Sequence, residues 1–542
     1  MPQSPPYFNP PSAALILEFW NFSFLDFSYT LPPRMDPALQ PAPPADRLTP
    51  SQRAAVTARG NVLVMAGAGT GKTHTLIQRC LACLNEDAAA IDEILVVTFT
   101  EAAAAEMRAR LRRALEDAAR ARPGDPRRLE QLALFETAHI GTLHSFCFRL
   151  VREHFHELGL DPDLAIIESA EAHWRAEQTL EDELQRHYAG TTPFDLAVQE
   201  LIQVHGGGRD ESIRALVLQL HHYAQTRPDT AGWLTRQLAA FAAPEPHVWR
   251  AWLLDALTQW HAEWLPALAE LRADNSKAQE LLDLFQALPA NFTRAQAADL
   301  LEKIIAASNV WPPKKKGLLE KPLKPLFADA AFLHSLARQP DGRDPLAEDW
   351  AWTRGHLTTL LQLAQNFSAR FTADKTHAGL VDFHDLEQFA LRLLWDFAAD
   401  APTPVARRWR ERLRFVLADE YQDINAAQDR IIQALSRDDD RANRFLVGDV
   451  KQSIYRFRLA DPRIFRDYAA RWRPPAGQTL ALAENFRSRE ALLNFVNSVF
   501  TPLMRAEIGG VVYDDDARLR FGAPAAPVAA ACAICRVPPV ME

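Results

Sequence analysis

Residues 61–73 read Asn-Val-Leu-Val-Met-Ala-Gly-Ala-Gly-Thr-Gly-Lys-Thr, an apolar run that passes directly into a glycine-rich loop. The run 61–65, apolar after Asn61, predicts a buried strand, and residues 73–84 predict a helix. A strand, a loop of small residues and a helix in this order leave backbone N–H groups free to surround phosphate oxygens. The loop comprises Ala66, Gly67, Ala68, Gly69, Thr70, Gly71, Lys72 and Thr73. We therefore predict that these residues bind a nucleotide.

Two side chains at the end of this loop have the chemistry that a nucleoside triphosphate requires. Lys72 can reach the β- and γ-phosphates, and the hydroxyl of Thr73 can bind Mg²⁺. Ala66 stands where the usual pattern has its first glycine, so the loop matches a relaxed form. The pattern predicts ATP and Mg²⁺ as cofactors and leaves open what the energy drives.

A carboxylate pair follows a second apolar run, Phe415-Val416-Leu417-Ala418-Asp419-Glu420. At the end of a buried strand, Asp419 can hold Mg²⁺ through water and Glu420 can polarise the attacking water. A solvated pair that caps a helix is the alternative interpretation. The phosphate loop elsewhere in the chain favours an ATPase site.

Strand and helix patterns divide the chain into blocks. Residues 48–170 alternate short apolar runs with helical stretches, which is typical of an α/β domain with a parallel sheet. Strand patterns nearly vanish between residues 171 and 375 and return at 414–418 and 445–447. This order predicts a helical domain inserted into one nucleotide-binding domain. A further α/β segment begins at residues 479–482.

Composition sets limits on partners and compartment. The net charge of −9 gives no whole-chain attraction to nucleic acid, so any DNA path must be a local groove. Five cysteines in 542 residues fit a reducing, cytoplasmic setting. The pairs Cys80/Cys83 and Cys532/Cys535 have metal-ligand spacing, but their apolar surroundings favour core packing. The apolar patch at residues 15–20 lacks a basic leader and is too short to span a membrane.

The order and wording of several segments resemble the UvrD/Rep/RecB-type superfamily 1 helicases, and most closely the AddA-like helicase–nuclease subunits. The resemblance covers residues 48–170 and 376–515. The matching segments are Leu48–Arg53 (Q motif), Thr98–Met107 (motif Ia), Gly141–Phe146 (the next DNA-contacting motif), Leu380–Leu386 (a segment ahead of motif II), Asp419–Asp423 (motif II), Val447–Arg458 (motif III) and Glu484–Ser488 (motif IV).

The resemblance implies further roles at the ATP site. Gln52 would contact the adenine edge and Phe486 would stack on the base. Gln452 would sense the γ-phosphate, and Arg487 would supply positive charge to the transferring phosphoryl group. With Lys72 and Glu420, Gln452 and Arg487 form the expected catalytic set.

The resemblance also implies a track for single-stranded DNA. Phe99, Tyr455 and Phe457 would stack on bases, which grips a strand without reading its sequence. Core packing is the alternative for Phe99 and Tyr455. The remaining expected DNA-binding residues, which would contact phosphates or orient the track, are Thr98, Thr100, His144 and Arg458.

Taken together, these expectations describe an ATP-dependent DNA helicase or translocase that acts on single-stranded DNA in repair or recombination. The resemblance implies that it moves 3′→5′. An AddB-like protein is the expected partner, and no membrane is expected. A fragment that binds ATP and single-stranded DNA without translocating is the alternative. A non-helicase phosphate-loop protein such as a kinase is a third interpretation, which motifs Ia, III and IV oppose.

The chain ends at Glu542, before the motifs V and VI that the resemblance would place next. We expect a truncated form, without nuclease activity, and Met35 is an alternative start to Met1. The expected fold class is α/β. The expected domains are a disordered extension (1–46), a RecA-like ATP-binding domain in two parts (47–170 and 376–476), an inserted all-helical domain (171–375) and an incomplete second RecA-like domain (477–542).

Overall fold

The computed structural model describes residues 48–312, 314–506 and 510–522. The chain divides into two units, Met1–Thr49 and Pro50–Glu542, and of the first only Leu48 and Thr49 are described. The expected extension at 1–46 and the pair Cys532/Cys535 therefore lie outside the described residues.

The strands of the second unit are mostly short. Their bounds are β1 (Val62–Ala66), β2 (Ile94–Thr98), β3 (His139–Thr142), β4 (Ala165–Ile166), β5 (Leu380–Val381), β6 (Trp395–Asp396), β7 (Ala401–Pro402), β8 (Phe415–Ala418), β9 (Arg444–Gly448), β10 (Gln478–Leu482), β11 (Glu484–Asn485) and β12 (Arg520–Phe521).

The helices outnumber the strands. Their bounds are α1 (Pro50–Thr57), α2 (Lys72–Asn85), α3 (Glu101–Ala121), α4 (Pro126–Ala133), α5 (Leu143–Glu153), α6 (Phe155–Leu158), α7 (Ser169–Ala189), α8 (Pro193–Gly206), α9 (Glu211–Gln225), α10 (Thr230–Ala242), α11 (His247–Leu271), α12 (Ser276–Gln286), α13 (Arg294–Ala307), α14 (Lys316–Glu320), α15 (Lys324–Ala337), α16 (Pro345–His377), α17 (Phe383–Leu394), α18 (Pro404–Arg412), α19 (Ala426–Leu435), α20 (Pro462–Arg471) and α21 (Glu490–Leu503).

A six-stranded sheet in the order β10-β1-β9-β8-β2-β3 forms the centre of this unit, and all its pairs are parallel. Its central strands are almost entirely apolar because helices cover both faces. Alternate residues of β1 enter different cores: Leu63 packs with Leu446 on one face, whereas Val64 packs with Val447 on the other. The prediction of an α/β domain with a parallel sheet is confirmed.

The chain leaves this sheet for a long helical excursion. Between Ser169 and His377 the described residues form helices α7 to α16 and no strand. One apolar cluster joins α7, α8, α9 and α16, and another joins α11, α12, α13 and α15. The 33-residue helix α16 contributes Phe367 to the first cluster and Leu346 to the second, so it connects the two.

A short strand pair closes the base of this excursion. Strand β4 enters it and pairs in parallel with β5, which leaves it. The backbone N–H of Ala165 donates to the carbonyl of Gly379 at 2.9 Å, and that of Ile167 donates to Val381 at 3.0 Å. Because the two ends are tied together, the helices are added without separating the strands on either side.

Strand β10 corrects the expected domain boundary at residue 477. That boundary places the strand in a second RecA-like domain, but the strand pairs in parallel with β1, with Val62 opposite Gln478 and Ala66 opposite Leu482. Helix α20 returns the chain from β9 to the outer edge of β1, where β10 covers backbone groups that would otherwise be unpaired. A short apolar run in the sequence predicts a strand, but it does not indicate which sheet that strand will join.

The first cysteine pair behaves as expected. Cys80 and Cys83 lie on α2 and are fully buried, and burial raises the pKa of the Cys83 thiol to about 11. The described residues contain no group of three or more His, Cys, Asp or Glu side chains that could hold a metal ion. The prediction that this pair belongs to the core is confirmed.

None of the helices in the described part of the chain is long and apolar enough to cross a membrane.

The buried sheet gives a direct stability prediction. Leu417 on β8 is completely buried, so Leu417→Ala should lower the free energy of unfolding by about 2–5 kcal/mol. The matched control is Leu129→Ala on the surface of the same fold, where Leu129 is 58% exposed, and it should change stability by less than about 0.5 kcal/mol. Urea denaturation followed by circular dichroism measures both. Equal shifts in the two variants would contradict this position for β8.

Candidate nucleotide and nucleic-acid site

The glycine-rich loop connects the end of β1 to the start of α2. Helix α2 begins at Lys72 without a side-chain cap, and the backbone N–H of Thr75 is the donor to the Gly71 carbonyl, at 2.9 Å. The N–H groups of the first turn therefore point out of the helix at its positive end. This is the arrangement that binds phosphate.

Residues from the far end of the described chain lie directly against this loop. Asn485 donates a hydrogen bond from its side chain to the Ala68 carbonyl at 2.6 Å, and the backbone N–H of Phe486 donates to the Gly69 carbonyl at 2.8 Å. A Cβ at Gly67 would lie 2.6 Å from Leu519 Cδ2. The glycines therefore allow a close approach of backbone and side chains as well as room for phosphate.

A closed ring of hydrogen bonds joins the loop to strands β8 and β9. Lys72 Nζ donates to Glu420 Oε2 at 2.8 Å and to Gln452 Oε1 at 3.4 Å. The remaining contacts complete the ring: Gln422 Nε2 to Glu420 Oε2 at 2.9 Å, the Asp449 backbone N–H to Gln422 Oε1 at 2.8 Å, and Gln452 Nε2 to Asp449 Oδ2 at 2.7 Å. We call these residues, Lys72, Glu420, Gln422, Asp449 and Gln452, the coupling ring.

Carboxylates crowd the end of β8. Burial, with the neighbouring Glu420 charge, raises the pKa of Asp419 to about 6, and Lys72 opposes that rise. Burial also raises the pKa of Asp423 to about 6. Carboxylate oxygens together with the Thr73 hydroxyl form the hard oxygen donor set that Mg²⁺ prefers. The residues at this position therefore fit a magnesium ion.

The three residues expected around the base and the γ-phosphate lie near the loop. Gln52 is 4% exposed, and its side-chain nitrogen donates to the Thr70 carbonyl at 3.0 Å. Phe486 and Arg487 are exposed, and Cβ of Arg487 would be 2.7 Å from a Cβ on Gly69. In this conformation Gln52 is bonded to the loop itself.

The expected aromatic track forms a continuous surface. The ring centroids of Phe99 and Tyr455 are 4.9 Å apart, and those of Tyr455 and Phe457 are 5.8 Å apart. Phe457 is 62% exposed, and the Arg458 guanidinium lies 5.3 Å from the Tyr455 centroid. Phe99 and Tyr455 are half-buried. A row of partly and largely exposed rings beside a guanidinium has the chemistry that holds stacked bases and phosphates.

The other expected DNA-binding residues occupy two kinds of position. Thr98 is buried and donates to the Thr100 carbonyl at 3.2 Å, while the Thr100 hydroxyl caps α3. Both therefore shape the turn that presents Phe99. His144 is the second residue of α5. Its ring centroid is 4.9 Å from that of Phe383, and its Nε2 is hydrogen-bonded to Glu387 Oε1 at 2.8 Å.

Sequence reasoning missed several residues of this site. Gln422, Asp449 and Asn485 lie inside the motif segments, but their contacts connect residues far apart in the chain. Glu387 and Phe383 lie in or just after the segment ahead of motif II, whose only signal was its resemblance. A buried polar side chain is not distinguishable from an exposed one by spacing alone.

The parallel sheet, the phosphate loop and the carboxylate pair define the class of P-loop nucleotide-binding proteins. Residues 48–471 match the UvrD/REP helicase N-terminal domain. The chain belongs to the UvrD/REP helicase family, which confirms the resemblance found in the motifs.

Similar proteins are named as subunits of an ATP-dependent helicase/nuclease. The protein from Desulforudis audaxviator is 35% identical over 88% of this chain and 41% of its own length. Those from Bacillus cytotoxicus and Pelotomaculum thermopropionicum are 32% and 34% identical, each over 89% of this chain. The chain spans 41% and 40% of the lengths of these two relatives.

The packing on Gly69 gives a prediction for the loop. Gly69 has φ 74°, and an added Cβ would meet Arg487 Cβ at 2.7 Å and Asn485 Nδ2 at 2.8 Å. Gly69→Ala should weaken the binding of a fluorescent ATP analogue by about tenfold or more. Gly60→Ala is the matched control, because Gly60 has φ 77° with nothing within 4 Å of the new Cβ. If both variants lost affinity equally, backbone strain alone would account for the loss.

The raised pKa of Asp419 gives a pH prediction. Because the folded-state pKa is about 6 and the unfolded value is near 3.9, ionised Asp419 destabilises the fold above pH 6, and protonation relieves this cost as the pH falls towards 4. In EDTA, Asp419→Asn should be more stable than the parent chain at pH 7.5, by on the order of 1 kcal/mol. The difference should shrink between pH 6 and pH 4. Urea denaturation measures the free energy of unfolding of both chains at each pH. If the stability difference between them did not change with pH, the ionisation of Asp419 would not be its cause.

Proposed function

We propose that the chain is a motor that uses ATP to move 3′→5′ along single-stranded DNA, as part of a helicase of DNA repair or recombination. The observation that carries the proposal is the coupling ring. It joins Lys72, the residue that would hold the terminal phosphate, to the segment that leads into the aromatic track. The curated relatives are named as ATP-dependent helicase/nuclease subunits, which supports the same activity for this chain.

Nucleotide binding would act first on Lys72. Its ammonium is shared between Glu420 and Gln452, and the γ-phosphate, which carries more than one negative charge, offers a stronger partner. When Lys72 turns to the phosphate, Glu420 is released to polarise the attacking water, and Gln452 is left free to contact the γ-phosphate. Thr73 and Asp419 would hold Mg²⁺, which neutralises charge on the phosphate oxygens.

Movement of Gln452 would reach the DNA surface through a short segment. Gln452 ends the 3₁₀ turn Val450–Gln452, and Tyr455 lies three residues later, immediately before the turn Arg456–Arg458. A shift at Gln452 therefore changes how Tyr455 stands against Phe99. Alternating grip on stacked bases, driven by binding and hydrolysis, is the proposed mechanism of translocation.

Residues from the end of the described chain would complete the nucleotide site. Asn485 fixes the segment to the loop and accepts from the backbone N–H of Arg487 at 2.9 Å, which places Arg487 beside Gly69. Arg487 would supply positive charge in the transition state, and Phe486 would stack on adenine with Gln52 at the base edge. We also propose the RecA-like ATP-binding domain, the inserted helical domain and the incomplete second RecA-like domain with the limits expected from the sequence. The one change is that β10 belongs to the first RecA-like domain.

The protein setting is proposed from the same family. Because the relatives are named as subunits of a larger enzyme, we propose an AddB-like partner for this chain. A cytoplasmic location is proposed from the five cysteines of the whole sequence and from the DNA substrate.

ATP turnover with and without oligothymidylate tests the proposal. The parent chain should show stimulated turnover, and Lys72→Ala should lower it by about 100-fold or more. Lys303→Ala, at an exposed lysine of the helical region, should leave turnover unchanged. Tyr455→Ala should raise the oligothymidylate concentration needed for half-maximal stimulation by about fivefold or more.

The outcomes separate the proposal from its alternative. Binding of both ATP and oligothymidylate without stimulated turnover would exclude a motor and leave a binding fragment. If Lys72→Ala kept normal turnover, the loop would not be the ATP site.

A further inference from the structure

Glu387 is a buried carboxylate for which the ATP site and the aromatic track have no direct use. It lies on α17 and is 1% exposed. Its oxygens contact side chains from two other helices: His144 Nε2 at 2.8 Å on α5, Gln428 Nε2 at 2.7 Å on α19, and Asn425 Nδ2 at 3.2 Å at the start of α19. One side chain thus holds three elements of the fold together.

Each contact of Glu387 faces a different part of the candidate site. His144 lies against Phe383, which is 43% exposed. His144 follows β3, whose last residue Thr142 pairs with Thr98, the residue before Phe99. Asn425 comes two residues after Asp423, the last residue of motif II, and it caps α19. The carbonyl of Ile424, between them, accepts from the backbone N–H of Asp461 at 2.8 Å, just beyond the aromatic track.

The chemistry of this contact favours a fixed geometry. Burying an ionised carboxylate is unfavourable unless several donors satisfy it. The hydrogen bonds from His144 and Gln428 lower the pKa of Glu387 despite its burial, so the group stays charged. Neither His144 nor Asn425 can move away from Glu387 without leaving a buried charge short of a donor. A displacement of Asn425 after motif II would therefore be transmitted through Glu387 to His144.

We propose that Glu387 is a positioning residue that couples nucleotide binding at motif II to the His144–Phe383 surface. This inference rests on the proposed function, because it assigns a DNA-facing role to that surface. Glu387 itself contacts neither ligand. Its effect is on how strongly the two binding events depend on each other.

The test measures that dependence at equilibrium. The affinity for fluorescein-labelled oligothymidylate is measured by anisotropy, with and without a non-hydrolysable ATP analogue and Mg²⁺. The ratio of the two dissociation constants is the coupling, which we expect to be about fivefold or more in the parent chain. Glu387→Gln keeps the shape but removes the charge, and should bring the ratio below about twofold.

A matched control separates coupling from stability. Glu183 on α7 is also a buried carboxylate with a histidine partner, His187 at 3.5 Å, but it lies within the helical region. Glu183→Gln should leave the ratio at its parental value, whatever it does to the thermal midpoint. Loss of coupling in both variants would mean that general destabilisation is responsible and would overturn the assignment.

A second variant keeps the test decisive if Glu387→Gln does not fold. His144→Asn removes the same hydrogen bond from its exposed end, and it should lower the ratio to a similar value. If both fold, the double variant should lose no more coupling than either single variant, because the two residues act as one unit.

The parent chain distinguishes two kinds of failure. If the parent chain shows coupling and Glu387→Gln or His144→Asn keeps the same ratio of dissociation constants, only the role of Glu387 is overturned. A parent chain that binds no oligothymidylate, or binds it independently of nucleotide, would overturn the proposed function together with this inference.

Discussion

The hydrogen bond between the Lys72 ammonium and the Glu420 carboxylate is the contact on which the arrangement of the candidate site depends. Strand β8 ends among acidic residues, and their burial is unfavourable, as the raised pKa values of Asp419 and Asp423 indicate. A single ammonium among them offsets part of that cost. Because Lys72 follows β1, and β9 lies between β1 and β8 in the sheet, the contact also joins elements that are not neighbours.

The parallel sheet makes this contact available. All six strands have their carboxyl ends at one edge, so the loop after β1 and the acidic residues after β8 meet there, although the helical excursion separates them in sequence. The β4–β5 pair keeps that excursion from disturbing the edge. Phe99 after β2 and the turn after β9 emerge at the same edge, which is why the track lies so close to the nucleotide site.

Much of the site could be predicted from local patterns, and its limits have a physical cause. The loop at 66–73 and the pair Asp419-Glu420 each follow an apolar run, so their positions at strand ends could be inferred from neighbours in the chain. The assignment of β10 failed because strand pairing is a long-range choice, and an apolar run fits any free edge. Asn485 and Glu387 were missed as individual residues because a polar side chain shows its partners only when the fold is known.

The amino-acid sequence therefore specified the chemistry: a phosphate loop, a carboxylate pair at a strand end, aromatic rings and the motifs of the helicase family. These features depend on residue type and on spacing over a few positions, which the chain carries directly. The tertiary structure specified which of them touch. Lys72 meets Gln452, Asn485 meets Ala68 and Glu387 meets His144 only because parallel strand order brings distant segments to one edge. Hydrogen bonds form only when donor and acceptor are about 3 Å apart. They therefore depend on the fold and not on how far apart the residues are in the sequence.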